Sequence, residues 1–354
     1  MRENILVIHQ GALGDVVLSF PALVQLKQQQ DIDLSILCAN QIGMLACDLN
    51  VVKRHFPVEK SRFCGLFSAS INGDMADFIN SYDRVVFIGF SDEIADNISR
   101  NHRGTTHKIT PRPPAETQRH VGKHVLRQFI SQGLLKDVGN IGRWLWPGNS
   151  FPSGEPNTDG LVKSPQQNSL VVIHPGAGSK RKRWPFKRFL KVAGELNKTD
   201  SVQVAFLVGI AEQDLLMSIK KRAAKGKLSM GQSVELWDNL PQGNCAGHSG
   251  GYLYFFIQDL SEVLALMKAS SFFIGNDSGL THLAAYMGVA TVAVFGPSSP
   301  MRWTPMGDSV KLLRGTQDCL PCFEIAKDNC DDPQCLSGVS VNMVLDAVRG
   351  FMVD

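Results

Sequence analysis

Along the chain, short unbroken apolar runs alternate with longer stretches in which apolar residues recur every three or four positions. NILVIH (4–9), LSILC (34–38) and RVVFIGF (84–90) are runs of the first kind. LVVIH (170–174), VQVAFLVG (202–209), SFFIG (271–275) and ATVAVFGP (290–297) repeat the pattern later. Runs without polar alternation are expected for parallel strands covered on both faces. The stretches between them, such as VVLSFPALVQLKQQ, FKRFLKVAGELNK and DLSEVLALMKA, have helical spacing, and Pro21 is expected to kink the first of these or to start its regular part. Strand and helix in alternation predict doubly wound α/β domains.

The alternation stops and restarts once. Residues 147–169 are rich in Pro, Gly, Ser and Asn without periodicity, which reads as a linker. Two domains follow, 1–160 and 168–337, with a C-terminal amphipathic helix (338–354) as a separate element free to pack back on the first. Residues 239–256, with several glycines and aromatics, read as an irregular insertion. Residues 100–128 are basic and carry His102, His107, His120 and His124. No period of 20–50 residues repeats, so a solenoid is excluded.

Composition narrows the class further. The 354 residues are 44% hydrophobic and 19% charged, enough for substantial cores, and the net charge of +3 does not indicate a nucleic-acid partner. No run of 18 apolar residues offers a spanning helix. The N-terminal MRENILVIHQGALGD lacks the long apolar region of a signal peptide, so a cytoplasmic protein is expected, with peripheral contact at the inner membrane left open. Cys38, Cys47, Cys64 and Cys245 are scattered and read as buried or free thiols. Cys319, Cys322, Cys330 and Cys335 are separated by two, seven and four residues, which fits no common zinc knuckle. A thiol cluster is therefore favoured over a metal site.

Three loops stand at predicted strand ends, where parallel sheets bind ligands. The first is Gly11-Ala12-Leu13-Gly14-Asp15. It lacks the third glycine of a dinucleotide fingerprint, and no phosphate loop of the GxxxxGK[ST] type occurs anywhere. Its glycines let backbone approach a ligand. Asp15 is either a helix cap or a carboxylate able to accept a proton from a hydroxyl.

The second loop is Pro175-Gly176-Ala177-Gly178-Ser179, followed by Lys180, Arg181, Lys182 and Arg183. Cations after a glycine loop suit a phosphate-bearing ligand. The third is Asn276-Asp277-Ser278-Gly279, with Thr281 and His282. Ser278 and Gly279 offer a hydroxyl and open N–H groups at a positive helix end. His282 is placed to donate to a phosphate oxygen, or is a satisfied core histidine. Asp277 repels phosphate, so it meets sugar hydroxyls or caps the helix. Two phosphate-favouring loops in one domain and a carboxylate loop in the other suggest a diphosphate donor cleaved across an interdomain cleft.

The stretches GALGDVVLSFPAL, IHPGAGSKRKRWPFKRF and IGNDSGLTHLAAYMGVATVAVFGPSSPMRW, with the cysteine-bearing tail, resemble the ADP-heptose:lipopolysaccharide heptosyltransferases of glycosyltransferase family 9. The resemblance runs in order through nearly the whole chain. It implies a GT-B fold, two Rossmann-like doubly wound domains facing a central cleft, with acceptor bound by the first and nucleotide sugar by the second. It implies inverting transfer of heptose or a related sugar from an ADP-sugar to a lipopolysaccharide-type glycolipid, without cofactor or metal. By position Asp15 matches the general base, and Ser179 and Lys182 match the donor-phosphate loop. Asp277, Ser278, Gly279 and His282 match the element at the donor sugar and diphosphate. Glu212 matches an acidic residue that binds ribose. The basic stretch 100–124 is expected to meet an acidic glycolipid. Competing readings are a nucleotide-sugar epimerase or hydrolase of the same architecture and a non-catalytic nucleotide-sugar binding protein.

Overall fold

The computed structural model describes residues 2–67, 71, 73–136, 169–199, 201–209, 212–215, 217, 234–237, 252–256, 259–315, 319–325, 330 and 333–352. The linker, Cys245, residues 239–251 of the insertion and most of the helix expected after Gly209 lie outside them. The chain divides into two compact units, Met1–Thr158 and Asp159–Asp354.

The first unit runs β1 (Glu3–His9), α1 (Leu13–Gln29), β2 (Ile32–Cys38), α2 (Asn40–Asp48), β3 (Arg54–Pro57), a 3₁₀ segment (Ser61–Phe67), α3 (Gly73–Asn80), β4 (Arg84–Ile88), α4 (Asp92–Asn101), β5 (Thr105–Ile109) and α5 (Val121–Ser131). All strands are parallel, in the order β3-β2-β1-β4-β5, with Ile5 level with Leu34 on one side and Arg84 on the other. Ile5, Leu6, Val7 and Ile8 are all fully buried, because the central strand is covered on both faces. Leu6, Ile8, Leu37, Val85 and Phe87 share one core with Phe63, Met75, Ile79 and Ile98. After β3 the chain crosses to the other side of β1. The strand order reverses between β1 and β4, which puts the switch point at the loop after His9.

The second unit runs β6 (Ser169–His174), a 3₁₀ turn (Lys180–Lys182), α6 (Phe186–Leu196), β7 (Val202–Val208), β8 (Val234–Trp237), β9 (Tyr252–Phe256), α7 (Leu260–Ala269), β10 (Phe272–Asn276), α8 (Gly279–Tyr286), β11 (Ala290–Val294), α9 (Pro300–Trp303), β12 (Val310–Leu313), α10 (Gln334–Ser337) and α11 (Val341–Met352). Its parallel sheet has the order β12-β11-β10-β6-β7-β9-β8. Here the reversal falls between β6 and β10, so the loops that follow those two strands flank one crevice.

Several expectations are corrected. Tyr252–Phe256, read as part of an irregular insertion, is β9, paired with β7 and β8. β3, β5 and β12 were not legible, and all three are at or next to exposed positions on sheet edges, with half-buried patterns. An edge strand pairs on one side only and tolerates polar residues, which erases the apolar run. The C-terminal helix does not stand apart from the second unit. Val344, Leu345, Val348 and Phe351 of α11 share that unit's core with Trp184, Phe189, Phe206 and Phe272. Pro21 lies inside α1 rather than at its start. Among the described residues, no helix is long and apolar enough to cross a membrane.

Candidate active site

In the first unit, α1 begins at Leu13, so Gly14 and Asp15 belong to its first turn and not to a loop. Ala12 occupies the capping position and makes no side-chain cap, which removes the reading of Asp15 as the cap. Asp15 is 5% exposed. Both its carboxylate oxygens receive the Arg112 guanidinium, Nε at 2.8 Å and Nη2 at 2.6 Å. That two-point geometry fixes the carboxylate plane. Arg112 comes from the basic stretch after β5, and nothing in its local sequence pattern singled it out.

The turn ahead of Asp15 is held by His9. Its Nδ1 accepts the Gly11 N–H at 2.9 Å. Its Nε2 is 3.0 Å from Ser19 Oγ, and that hydroxyl donates to the Asp15 carbonyl at 2.9 Å. The hydroxyl proton is committed, so the ring is neutral and carries its hydrogen on Nε2. Burial pushes the His9 pKa down to about 4, against the opposing charge of Asp15. Gly11 is required by close approach: a Cβ there would stand 2.6 Å from His9 Cε1 and 2.7 Å from Asp15 Cβ.

The four histidines of the basic stretch are engaged within the fold. His102 Nε2 bonds the Tyr82 carbonyl at 2.9 Å, and His107 Nδ1 meets Gln132 Oε1 at 3.2 Å. His120 caps α5 by accepting the Gly122 N–H, and His124 Nε2 meets Thr110 Oγ1 at 2.9 Å.

In the second unit the crevice between β6 and β10 gathers three of the expected residues. Lys182 Nζ is 2.8 Å from Asp277 Oδ2, and His282 Nε2 is 3.7 Å from Asp277 Oδ1. Asp277 and His282 are each 3% exposed. Burial alone would raise the Asp277 pKa. His282 and the Lys182 charge outweigh it and hold the carboxyl well below the usual carboxylate range. His282 Nδ1 is buried without a hydrogen-bond partner.

Ser278, not Asp277, caps α8, its Oγ accepting the Thr281 N–H at 3.4 Å. Gly279 is the first residue of that helix. Ser278 Oγ also lies 3.4 Å from His174 Nδ1, and His174 Nε2 lies 3.8 Å from Glu212 Oε2. Glu212 accepts the Gly209 N–H at 3.0 Å and packs on Gly176, where a Cβ would stand 2.2 Å from Glu212 Oε1. Burial would raise the Glu212 pKa, but His174, the Gly209 amide and Arg183 bring it below the ordinary value. Ser179 caps its own turn, its Oγ accepting the Arg181 N–H at 3.3 Å. Gly178 has open space where a Cβ would stand.

One residue of the third loop had no assigned role and turns out to bind the two loops together. Asn276 is fully buried; its Oδ1 accepts the Trp184 N–H at 2.8 Å, while its Nδ2 donates to the carbonyls of Pro175 and Gly176 at 2.9 and 3.1 Å. Among the described residues, no three of His, Cys, Asp and Glu are grouped to hold a metal. Cys319, Cys322, Cys330 and Cys335 are free thiols. Cys335 is buried with Cys319 beside it, and burial pushes its pKa up to about 11.

Two doubly wound Rossmann-like units in one chain, each with polar chemistry at its switch point, define the GT-B class. The relatives agree. The profile of glycosyltransferase family 9 (heptosyltransferase) matches residues 258–330, which hold α7, β10, the third loop and α8. Lipooligosaccharide heptosyltransferase 2 of Haemophilus influenzae is 24% identical over 331 residues, 88% of each chain. Lipooligosaccharide heptosyltransferase 2 of Campylobacter jejuni is 29% identical over 218 residues, a match covering 58% of this chain and 61% of that protein's length. The solved structure of E. coli ADP-heptose LPS heptosyltransferase II superposes with a TM-score of 0.67 at 17% identity, covering 100% of this chain and 99% of that one. The chain is thus similar to glycosyltransferase family 9, by the family profile over residues 258–330 and by heptosyltransferase relatives below 30% identity.

Proposed function

We propose that this chain is an inverting, metal-independent glycosyltransferase that moves heptose, or a related sugar, from an ADP-sugar to a lipopolysaccharide-core acceptor. The observation that carries the reading is the Lys182–Asp277–His282 cluster beside the capped start of α8, at the switch point of the second sheet. A cation, an imidazole and helix N–H groups converge there, which is the chemistry that holds a diphosphate. The Haemophilus relative is named a lipooligosaccharide heptosyltransferase and the E. coli protein an ADP-heptose LPS heptosyltransferase, which supports the choice of donor and acceptor.

Asp15 is the general base. Its carboxylate, oriented by Arg112, takes the proton of the acceptor hydroxyl as that oxygen attacks the anomeric carbon. The bond between that carbon and the donor phosphate oxygen breaks, and ADP leaves with the electron pair. Attack from the face opposite the leaving group inverts the configuration. Lys182, His282 and the N–H groups at the start of α8 stabilise the charge growing on the diphosphate. Ser278 and Ser179 add hydroxyl contacts, Asp277 meets the sugar, and Glu212 meets the ribose. The acceptor places the protein at the cytoplasmic face of the inner membrane as a peripheral enzyme.

The test is turnover of ADP-heptose with a heptose-free lipopolysaccharide core. Product is followed by mass spectrometry, and the anomeric configuration by NMR. Asp15→Asn is expected to lower kcat by about 10²–10⁴-fold, the range of a lost general base, with ADP affinity retained. Chelator is expected to leave the rate unchanged. Donor consumption at the same rate without acceptor would replace this reading with a hydrolase.

A further inference from the structure

Lys182 has a second neighbour besides Asp277. Its Nζ lies 4.2 Å from the centre of the Phe323 ring and 5.9 Å from that of Trp303. Arg181 stands over the same Phe323 ring, its guanidinium carbon 5.6 Å from the centre. Phe323 belongs to the cysteine-bearing segment after β12, distant in sequence from the basic loop.

That segment is tied down at the carboxyl edge of the sheet. The N–H groups of Cys322 and Phe323 both donate to the Pro297 carbonyl, at 2.9 and 3.0 Å, just beyond the end of β11. The next residue, Glu324, takes a two-point ion pair from Arg302, Nε at 2.7 Å and Nη2 at 3.1 Å. Arg302 is 2% exposed, so the arginine side of the anchor is buried. From the other side, Arg181 Nη2 donates to Cys322 Sγ at 3.6 Å. The ring is therefore fixed before any ligand arrives.

A lysine is a point charge on a flexible four-carbon stem, and one carboxylate fixes only one direction of its ammonium. An aromatic face within about 6 Å attracts the same ammonium electrostatically, more strongly where water is excluded. The Lys182 side chain is 16% exposed. We propose that Phe323 is a positioning residue that seats the Lys182 ammonium between its ring face and Asp277, so that the remaining N–H directions meet the donor diphosphate. This rests on the reading of Lys182 as a diphosphate ligand. The function of the tail is then mechanical: the Arg302–Glu324 pair and the Pro297 carbonyl hold the ring, and the ring holds the lysine.

Calorimetric titration of ADP into wild type, Phe323→Leu, Phe323→Tyr, Lys182→Ala and the double variant Lys182→Ala/Phe323→Leu tests it. Leucine keeps apolar volume but has no ring face, whereas tyrosine keeps the face. Phe323 is half-buried, and thermal denaturation confirms that each variant folds. Phe323→Leu is expected to weaken ADP binding three- to tenfold and to raise KM for the ADP-sugar more than it lowers kcat. Phe323→Tyr is expected to recover most of that loss. In the Lys182→Ala background, Phe323→Leu is expected to add nothing, because the ring acts through the lysine. Equal affinities for the Leu and Tyr variants, or an undiminished effect without Lys182, would overturn the proposal while leaving the donor site in place. ADP binding that Lys182→Ala does not weaken would remove the reading on which it rests.

Discussion

Lys182 Nζ stands 2.8 Å from Asp277 Oδ2, and the two residues follow different strands, β6 and β10, that are adjacent in the sheet. The lysine side chain is 16% exposed and the aspartate side chain 3%, so the pair, together with His282, compensates the carboxylate for lost water. On the proposed function, the pair also explains how a carboxylate can sit where a diphosphate is to bind. It is paired with the Lys182 ammonium and has His282 Nε2 at 3.7 Å, so it is not a bare charge.

Removing the cation should therefore cost more than removing the pair. Lys182→Met is expected to destabilise the second unit by about 2–4 kcal/mol, because it strands a buried carboxylate. Adding Asp277→Asn is expected to recover part of that loss. The sign of the pH dependence follows from the depressed Asp277 pKa. Its stabilisation is present above the unfolded carboxyl value of about 4 and is lost as acid titrates the folded form below it. Urea unfolding at pH 7 and pH 3 checks both statements; a Lys182→Met variant as stable as wild type would disprove the first.

His9 gives a second pH dependence, of the opposite chemical kind. Its folded pKa is lowered to about 4, against about 6.5 for an unfolded histidine. A neutral buried imidazole stabilises the fold fully above about pH 6.5, and that contribution falls as pH drops towards 4. The loss over this window is about 3 kcal/mol. His9→Asn is expected to remove this part of the slope, whatever it does to stability at pH 7. Denaturation of wild type and variant between pH 7 and pH 4 measures the difference in slope, and parallel curves would refute it.

The Asp15–Arg112 pair is asymmetric in exposure, the aspartate side chain at 5% and the arginine side chain at 40%. Arg112→Met leaves a shielded carboxylate without its two-point partner, whereas Asp15→Asn leaves a guanidinium that water can reach. Arg112→Met should thus be the more destabilising substitution, by about 1–3 kcal/mol. Chemical denaturation of the two single variants ranks them. The reverse order would mean that Asp15 is held mainly by other groups.

Asn276 uses its amide in both senses, accepting from Trp184 and donating to Pro175 and Gly176. Asn276→Asp keeps the shape but cannot donate, and it turns a charge towards two carbonyls. The expected cost is about 3 kcal/mol or more, from a buried unpaired charge and two lost donors. ADP affinity should fall as well, since the bridge between the second and third loops is lost. A Tm within 2 °C of wild type would contradict this role.

Much of the plan was legible from local pattern. The runs NILVIH, LVVIH and SFFIG are the central strands β1, β6 and β10, and their lack of alternation reflects burial on both faces. The loops after them were recognisable because glycine, hydroxyl and charge interrupt apolar sequence only where the chain leaves the core. Edge strands such as Thr105–Ile109 were not legible, because one-sided pairing leaves them half-exposed and polar. Tyr252–Phe256 was hidden by the glycines that precede it.

The sequence by itself determined that two strand–helix alternations occur, where their central strands lie, and which loops after them bring glycine, hydroxyl and charge together, since these depend on residues close together in the chain. Only the tertiary structure decided that β6 and β10 lie side by side, that Arg112 rather than solvent meets Asp15, that Asn276 ties one loop to another, and that Phe323 faces Lys182. Each of these joins residues separated by long stretches of chain. Their meeting is fixed by strand order and side-chain packing, which no local periodicity encodes.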